Sequence, residues 1–329
     1  MSDRLLDPHV QRFLAILAAG GQLSLRGAGV AQRRAALAEL MALGGPKPPV
    51  GATLDTTVPG PAGPIPIRIY TPPQPLPTPA PGLIYLHGGG LVAGSIDTHD
   101  RIARSLATAG ECRLVSVGYR LAPEHPFPAA LDDGLAAVQY LSSHAAAFNI
   151  DGARVGLCGD SAGGTLAAVI CQRLAGAGGP RLALQLLLCP ILDHDPGTTA
   201  GRDFSHGDPV DRATLDHDLE HYLPHGVDRT HPDISPLWAA DLAGLPPTII
   251  HTAHCDPLCD DGQRYAERLR AAGSGALYRC HPGMIHLFYG LGGVIPYARR
   301  AFGQIGEDVR AALGRPQTPD RPRVPHARI

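Results

Sequence analysis

The sequence predicts an α/β protein, with a mostly parallel sheet covered on both faces by helices. Three observations carry this. Short apolar, β-branched runs of strand length alternate with amphipathic runs of helix length from residue 83 onward. The chain has 329 residues and is 44% hydrophobic, enough for one large core. One strand-like run, "RVGLC", breaks at "GDSAGGT", where a serine stands among glycines before a helical pattern begins.

The elements follow in order. Residues 8–19 and 29–43 carry apolar residues at helical spacing (Val10, Phe13, Leu14, Leu17; Ala36, Leu37, Leu40, Met41), and "GGPKPPVG" ends that segment. "ATLDTTV" and "IPIRIY" alternate as strands do. "TPPQPLPTPAPG" reads as a stiff proline-rich surface linker. Strands are then expected at 83–87, 112–119, 154–159, 182–189, 247–253 and 275–281. Helices are expected at 98–109, 128–145, 162–175, 258–272 and 296–313. The interval 193–238 breaks the rhythm, holds many His and Asp residues and no clean strand, and reads as an insertion. The tail 315–329 has little to bury and is expected to be disordered. The organisation is therefore a helical N-terminal segment 1–48, a core made of 49–192 and 239–314, and the insertion 193–238 between its halves.

Composition excludes several functions. A formal net charge of -2, no basic block and 5% aromatic content argue against nucleic acid as a partner. No run approaches the ~18 apolar residues of a membrane span, and the first residues lack a signal peptide's charged start and cleavage site, so a cytoplasmic, soluble chain is expected. Lys47 is the single lysine and sits in a loop-like setting, which leaves no lysine for Ser–Lys or Schiff-base chemistry. Seven cysteines, mostly inside apolar runs, read as buried reduced thiols. His251, His254, Cys255 and Cys259 crowd together, but no second ligand pair follows at zinc spacing; neither metal nor cofactor is expected.

Gly159, Ser161 and Gly163 match G-x-S-x-G in a strand–turn–helix context, which lifts a serine hydroxyl above the carboxyl ends of the strands. The alternative is a glycine-rich turn whose serine caps the helix. "HGGG" at 87–90 follows the strand at 83–87. Its backbone N–H groups suit an oxyanion hole, with Gly88 and Gly89 as donors together with Ala162 at the helix N-terminus; the alternative is a flexible loop. Partners for the serine are sought in the order Ser, Asp, His. Asp256 lies just past the strand 247–253, although Asp before Pro257 also suits a helix cap; Asp260 and Asp261 fall inside the helix. His286 sits in the loop after the last strand and His281 at that strand's end, and chain order and loop position favour His286. Ser161 as nucleophile, His286 as base and Asp256 as its orienting acid would perform acyl transfer.

Taken together, "HGGG", "YRLAPEHPFPAAL", "GDSAGG", "DPLCDDG" and "GMIHLF" resemble the bacterial hormone-sensitive-lipase-like family of α/β-hydrolase carboxylesterases. The likeness runs from about residue 50 to 312, and "DISPLWA" resembles the family's return from cap to core. It implies the α/β-hydrolase fold with an eight-stranded, mainly parallel sheet, a cap formed by the N-terminal helices and 193–238, hydrolysis of short- to medium-chain acyl esters, and a homodimer as one assembly. Thr165 and Leu91 depart from the residues common in the family. Leu91, with Phe204 and Tyr222 of the cap, is then expected at the substrate's acyl group. "YRLAPEHPFPAAL" reads as a loop that braces the site rather than one that reacts. A non-catalytic small-molecule receptor on the same fold is the competing class, as in the plant gibberellin receptors, which resemble this family but have lost the histidine that His286 supplies here. Amidase or peptidase work with the same triad is a further reading.

Overall fold

In the computed structural model, which describes residues 5–19, 29–199, 202 and 210–314, a hairpin opens the sheet. Strands β1 (Ala52–Gly60) and β2 (Gly63–Thr71) pair antiparallel across a two-residue turn, and β2 buries Ile65, Ile67 and Ile69. The parallel part comprises β3 (Ala80–Leu86), β4 (Arg113–Val117), β5 (Ile150–Asp160), β6 (Leu184–Leu188), β7 (Thr248–Ala253) and β8 (Ala276–His281). The order is β1-β2-β4-β3-β5-β6-β7-β8, with every pair from β4 to β8 parallel. The expected fold class is borne out. Phe204 and the tail 315–329 lie outside the described residues.

Alternation along each strand splits the core in two. Ile84, Leu86, Val115, Leu157 and Leu187 enter the apolar cluster on one face, while Leu83, Tyr85, Leu114, Cys158 and Leu186 enter the other. Helices α3 (Asp100–Gly110), α4 (Ala129–Ser143) and α5 (Ala162–Ala177) follow their strands, as do α8 (Cys259–Ala271) and α9 (Tyr297–Leu313). All seven cysteines are reduced thiols outside any disulfide, six of them buried and Cys280 partly exposed.

Two segments differ from the sequence expectation. The proline-rich linker is shorter, because Ala80 pairs with Ile150 and its N–H donates to Asn149; β3 and β5 both begin several residues early. The interval 193–238 carries helices α6 (Pro196–Thr199) and α7 (Arg212–Tyr222). The buried residues of α7 are Thr214, Asp218 and Tyr222, so no apolar stripe announces it.

The N-terminal helices α1 (Pro8–Ala19) and α2 (Val30–Ala42) bury Val10, Phe13, Leu14, Leu17, Leu37 and Met41 in the second of these apolar clusters. Arg33 of α2 grips Asp218 of α7 through two arms, Nε–Oδ1 3.0 Å and Nη2–Oδ2 2.8 Å, with both side chains buried. Next along the helix, Arg34 donates to the carbonyls of Val92 and Ala122 and to both oxygens of Glu124. Two segments far apart in sequence are thereby fastened to each other and to the loops beneath.

Removing one member of a buried ion pair strands the other charge, which costs about 3 kcal/mol or more. Asp218→Ala and Arg33→Ala should each lower stability by that order in urea unfolding. The double variant Arg33→Met/Asp218→Leu should recover most of the loss. Single variants within 0.5 kcal/mol of the parent, a scale set by ordinary surface changes (about ±0.5), would contradict a structural role for the pair.

Candidate active site

Strand β5 stops because Ser161 takes φ 52°, ψ -121°, a conformation side chains rarely adopt, before α5 starts at Ala162. Such backbone costs on the order of 1–3 kcal/mol and persists only where the surroundings enforce it. Here the flanking glycines permit it: a Cβ on Gly159 would lie 2.0 Å from the Gly163 carbonyl oxygen, and one on Gly163 would lie 2.1 Å from that of Leu86. Ser161 makes no side-chain cap to the helix. Its Oγ lies 2.9 Å from His286 Nε2 instead, which removes the helix-cap alternative.

His286 and Asp256 arrive on the loops after β8 and β7. Those loops run side by side, the N–H of His254 donating to His281 and that of Cys255 to Met284. Asp256 Oδ2 lies 2.7 Å from His286 Nδ1, and its Oδ1 accepts the N–H of Leu258. The cap reading and the triad reading of Asp256 thus each describe one oxygen. His286, Asp256 and Ser161 are 0%, 1% and 6% exposed. Cys189 brings a sulfur to the same place: among the described residues it is Cys189, Asp256 and His286 whose donor atoms lie within 4.8 Å of one another, not the His251–Cys259 run.

The rival residues are engaged elsewhere. His281 faces His251 at 3.0 Å and Tyr297 at 3.2 Å, and Asp261 accepts from the N–H of Leu192 and from Arg202. Burial, then the neighbouring His251, pulls the His281 pKa down to about 3.

One expected donor needs correction. The N–H of Gly88 points at Asp160 Oδ1, 2.8 Å away, and is spent there. Among the described residues no acceptor meets the N–H groups of Gly89 and Gly90. Gly90, at φ 67°, has room for no side chain, since a Cβ would fall 1.8 Å from Asp218 Oδ2. Gly89 and Gly90 are thus the glycines of this turn whose N–H groups are uncommitted among the described residues, and Gly90 was not among the donors expected from the sequence. Leu91 and Tyr222 are buried in one apolar cluster, Tyr222 edge-on to Phe127, and Thr165 donates to the Ile191 carbonyl.

Asp160 was also missed as a functional group. Besides Gly88 it accepts from Tyr85 Oη at 2.5 Å, and its second oxygen faces His99 Nε2 at 3.7 Å. Burial raises the Asp160 pKa. Burial likewise holds His87 down to about 3 and His99 to about 4, so both imidazoles are neutral. An aspartate between an apolar strand and a glycine-rich turn was the available signal.

The chain is similar in sequence and fold to known proteins. A family model described as alpha/beta hydrolase fold matches residues 83–290, more than half of the chain. The chain belongs to the α/β-hydrolase family. Carboxylesterase NlhH of Mycobacterium tuberculosis is 41% identical to this α/β hydrolase over 244 residues, 73% of this chain and 76% of that one. The ethyl acetate hydrolase of Pseudomonas putida is 36% identical over 253 residues, 76% of this chain and 79% of that one. Among solved structures, LAE6, an alpha/beta hydrolase enzyme from the metagenome of Lake Arreo, aligns with TM-score 0.89 and 36% identity over 94% of this chain and 99% of that one. The resemblance to hormone-sensitive-lipase-like carboxylesterases is borne out, and with it the class of carboxylic ester hydrolase.

Two outcomes follow. Asp160→Ala leaves two buried donors unpaired, each costing about 1–3 kcal/mol; Asp160→Asn keeps one acceptor and should lose clearly less, in both urea stability and ester turnover. Equal losses would contradict the acceptor role. The second concerns pH. His281 is neutral in the fold but protonates near pH 6.5 once unfolded. Between pH 6.5 and about 3 the unfolded chain therefore binds the extra proton, and this contribution to stability is lost as pH falls. His281→Gln should flatten the Tm–pH curve below pH 6.5, by roughly 1–2 kcal/mol at pH 5; an unchanged slope would refute it.

Proposed function

We propose that this hydrolase is a serine carboxylesterase acting through an acyl-enzyme on short- to medium-chain acyl esters. The observation that carries it is the relay from Ser161 Oγ to His286 Nε2 at 2.9 Å and from His286 Nδ1 to Asp256 Oδ2 at 2.7 Å. His286 takes the serine proton as Oγ attacks the ester carbonyl, then returns it to the leaving alcohol; water enters next, with His286 again as base. Asp256 holds the imidazole in the tautomer that leaves Nε2 free to accept, and stabilises the imidazolium. Gly89, Gly90 and Ala162 donate to the oxyanion, each such donor contributing about 3–4 kcal/mol to the transition state.

In this reading the segments 1–48 and 193–238 form a cap over the core 49–192 and 239–314. Leu91 and Tyr222 stand on the apolar wall that receives the acyl chain, and 5% aromatic content favours dissolved short esters over an emulsified lipid surface. Among the described residues no helix is long and apolar enough to cross a membrane. A cytoplasmic homodimer is the setting proposed.

The test is a chain-length series of p-nitrophenyl esters. The rate should peak at short to medium acyl chains and fall by about 10⁶-fold in Ser161→Ala, leaving only the roughly 10³–10⁴-fold acceleration over water that the oxyanion hole and binding supply. Best turnover on long-chain insoluble triglyceride would overturn the substrate class. Ligand binding without serine-dependent turnover would overturn the enzyme reading in favour of a receptor.

A further inference from the structure

Behind the loops that carry Asp256 and His286 lies a pair of thiols the proposed reaction does not use. Cys259 is the first residue of α8, three residues after Asp256. Cys280 lies on β8 beside Thr252 of β7, six residues before His286. Their sulfurs are 3.7 Å apart, about 1.7 Å longer than a disulfide bond and short enough to close by side-chain torsion. Access is one-sided. Cys259 is 5% exposed, whereas Cys280 is partly exposed and lines a surface depression of about 540 Å³ with Tyr278, Arg279, Tyr297 and Arg300. The other five cysteines are buried.

From this geometry we infer that Cys259 and Cys280 form a dithiol modification site, which peroxides oxidise to an intramolecular disulfide. The Cys280 sulfur attacks hydrogen peroxide, becoming a sulfenic acid as the O–O bond breaks and one water leaves. The Cys259 sulfur then displaces the hydroxyl from that sulfenic acid. The S–S bond forms and a second water carries off the Cys259 proton, so two thiols are oxidised and one peroxide is reduced to two waters. The order follows from access, and the facing Cys280 sulfur together with burial holds the proton on Cys259 until that second step. The product staples the start of α8 to β8 at the roots of the two loops that bring Asp256 to His286. Since it crosslinks residues 21 apart in sequence, it also shrinks the unfolded ensemble.

The experiment treats the full chain with hydrogen peroxide, blocks remaining thiols with N-ethylmaleimide, and digests it with trypsin for mass spectrometry. The tryptic peptide ending at Arg264 should be found joined to the peptide that begins at Cys280, reversibly with dithiothreitol, and Tm should rise by roughly 3–8 °C. Cys255 shares the first peptide, so Cys259→Ala is the deciding control; the joined peptide should vanish there and in Cys280→Ser. Three results would each overturn the assignment: both thiols still alkylated after oxidation, Cys280 driven to sulfinic acid without a crosslink, or a crosslink that survives Cys259→Ala.

Discussion

One buried carboxylate, Asp160, fastens the two glycine-rich turns on which the site is built. It ends β5, next to the serine, yet its oxygen holds the first glycine N–H of the loop that ends β3, while Tyr85 supplies a second donor from within β3. These strands are neighbours in the sheet, so the bond is short and cannot slip. The strained backbone at Ser161 and the tight turn at Gly88–Gly90 are each unfavourable alone. Joined through Asp160, and pressed together where Gly163 meets the Leu86 carbonyl, each removes the space the other would need to relax. The unpaired Asp160 oxygen and the neutral His99 opposite it mark this as a place where polar desolvation is tolerated for the sake of geometry.

Much of this was legible in the amino-acid order, for a definite reason. The sheet announces itself because each parallel strand is buried on both faces and must be apolar throughout. Ser161, Asp256 and His286 are each set by a local turn at a strand's carboxyl end, so a short motif suffices to place them. What stayed hidden depends on partners remote in sequence. The early start of β3 and the early start of β5 are one event, the pairing of Ala80 with Ile150, and prolines around Ala80 conceal it. Helix α7 is held by an ion pair from residue 33 rather than by an apolar stripe. Which two glycines of the HGGG turn keep their N–H groups turned outward depends on a carboxylate seventy-two positions away.

The histidines illustrate the same division. Sixteen are present, and spacing alone does not separate a base from a packed ring. In the fold His281 stacks on His251 and touches Tyr297, and His87 stacks between His99 and Tyr119; burial keeps these rings neutral. His286 differs because both its nitrogens meet groups of the site, a hydroxyl on one side and a carboxylate on the other. The distinction is one of neighbours, and it becomes visible once two loops lie side by side.

Arg34 carries a consequence for recombining this scaffold with its relatives. Its guanidinium reads two carbonyls and a carboxylate that all belong to the core, at Val92, Ala122 and Glu124. The first helices are therefore not an interchangeable module. A chimera that grafts a foreign N-terminal segment inherits a lock without its key unless the segment from 119 to 131 is transplanted with it, so the natural crossover point for shuffling lies beyond residue 131, not at the end of α2.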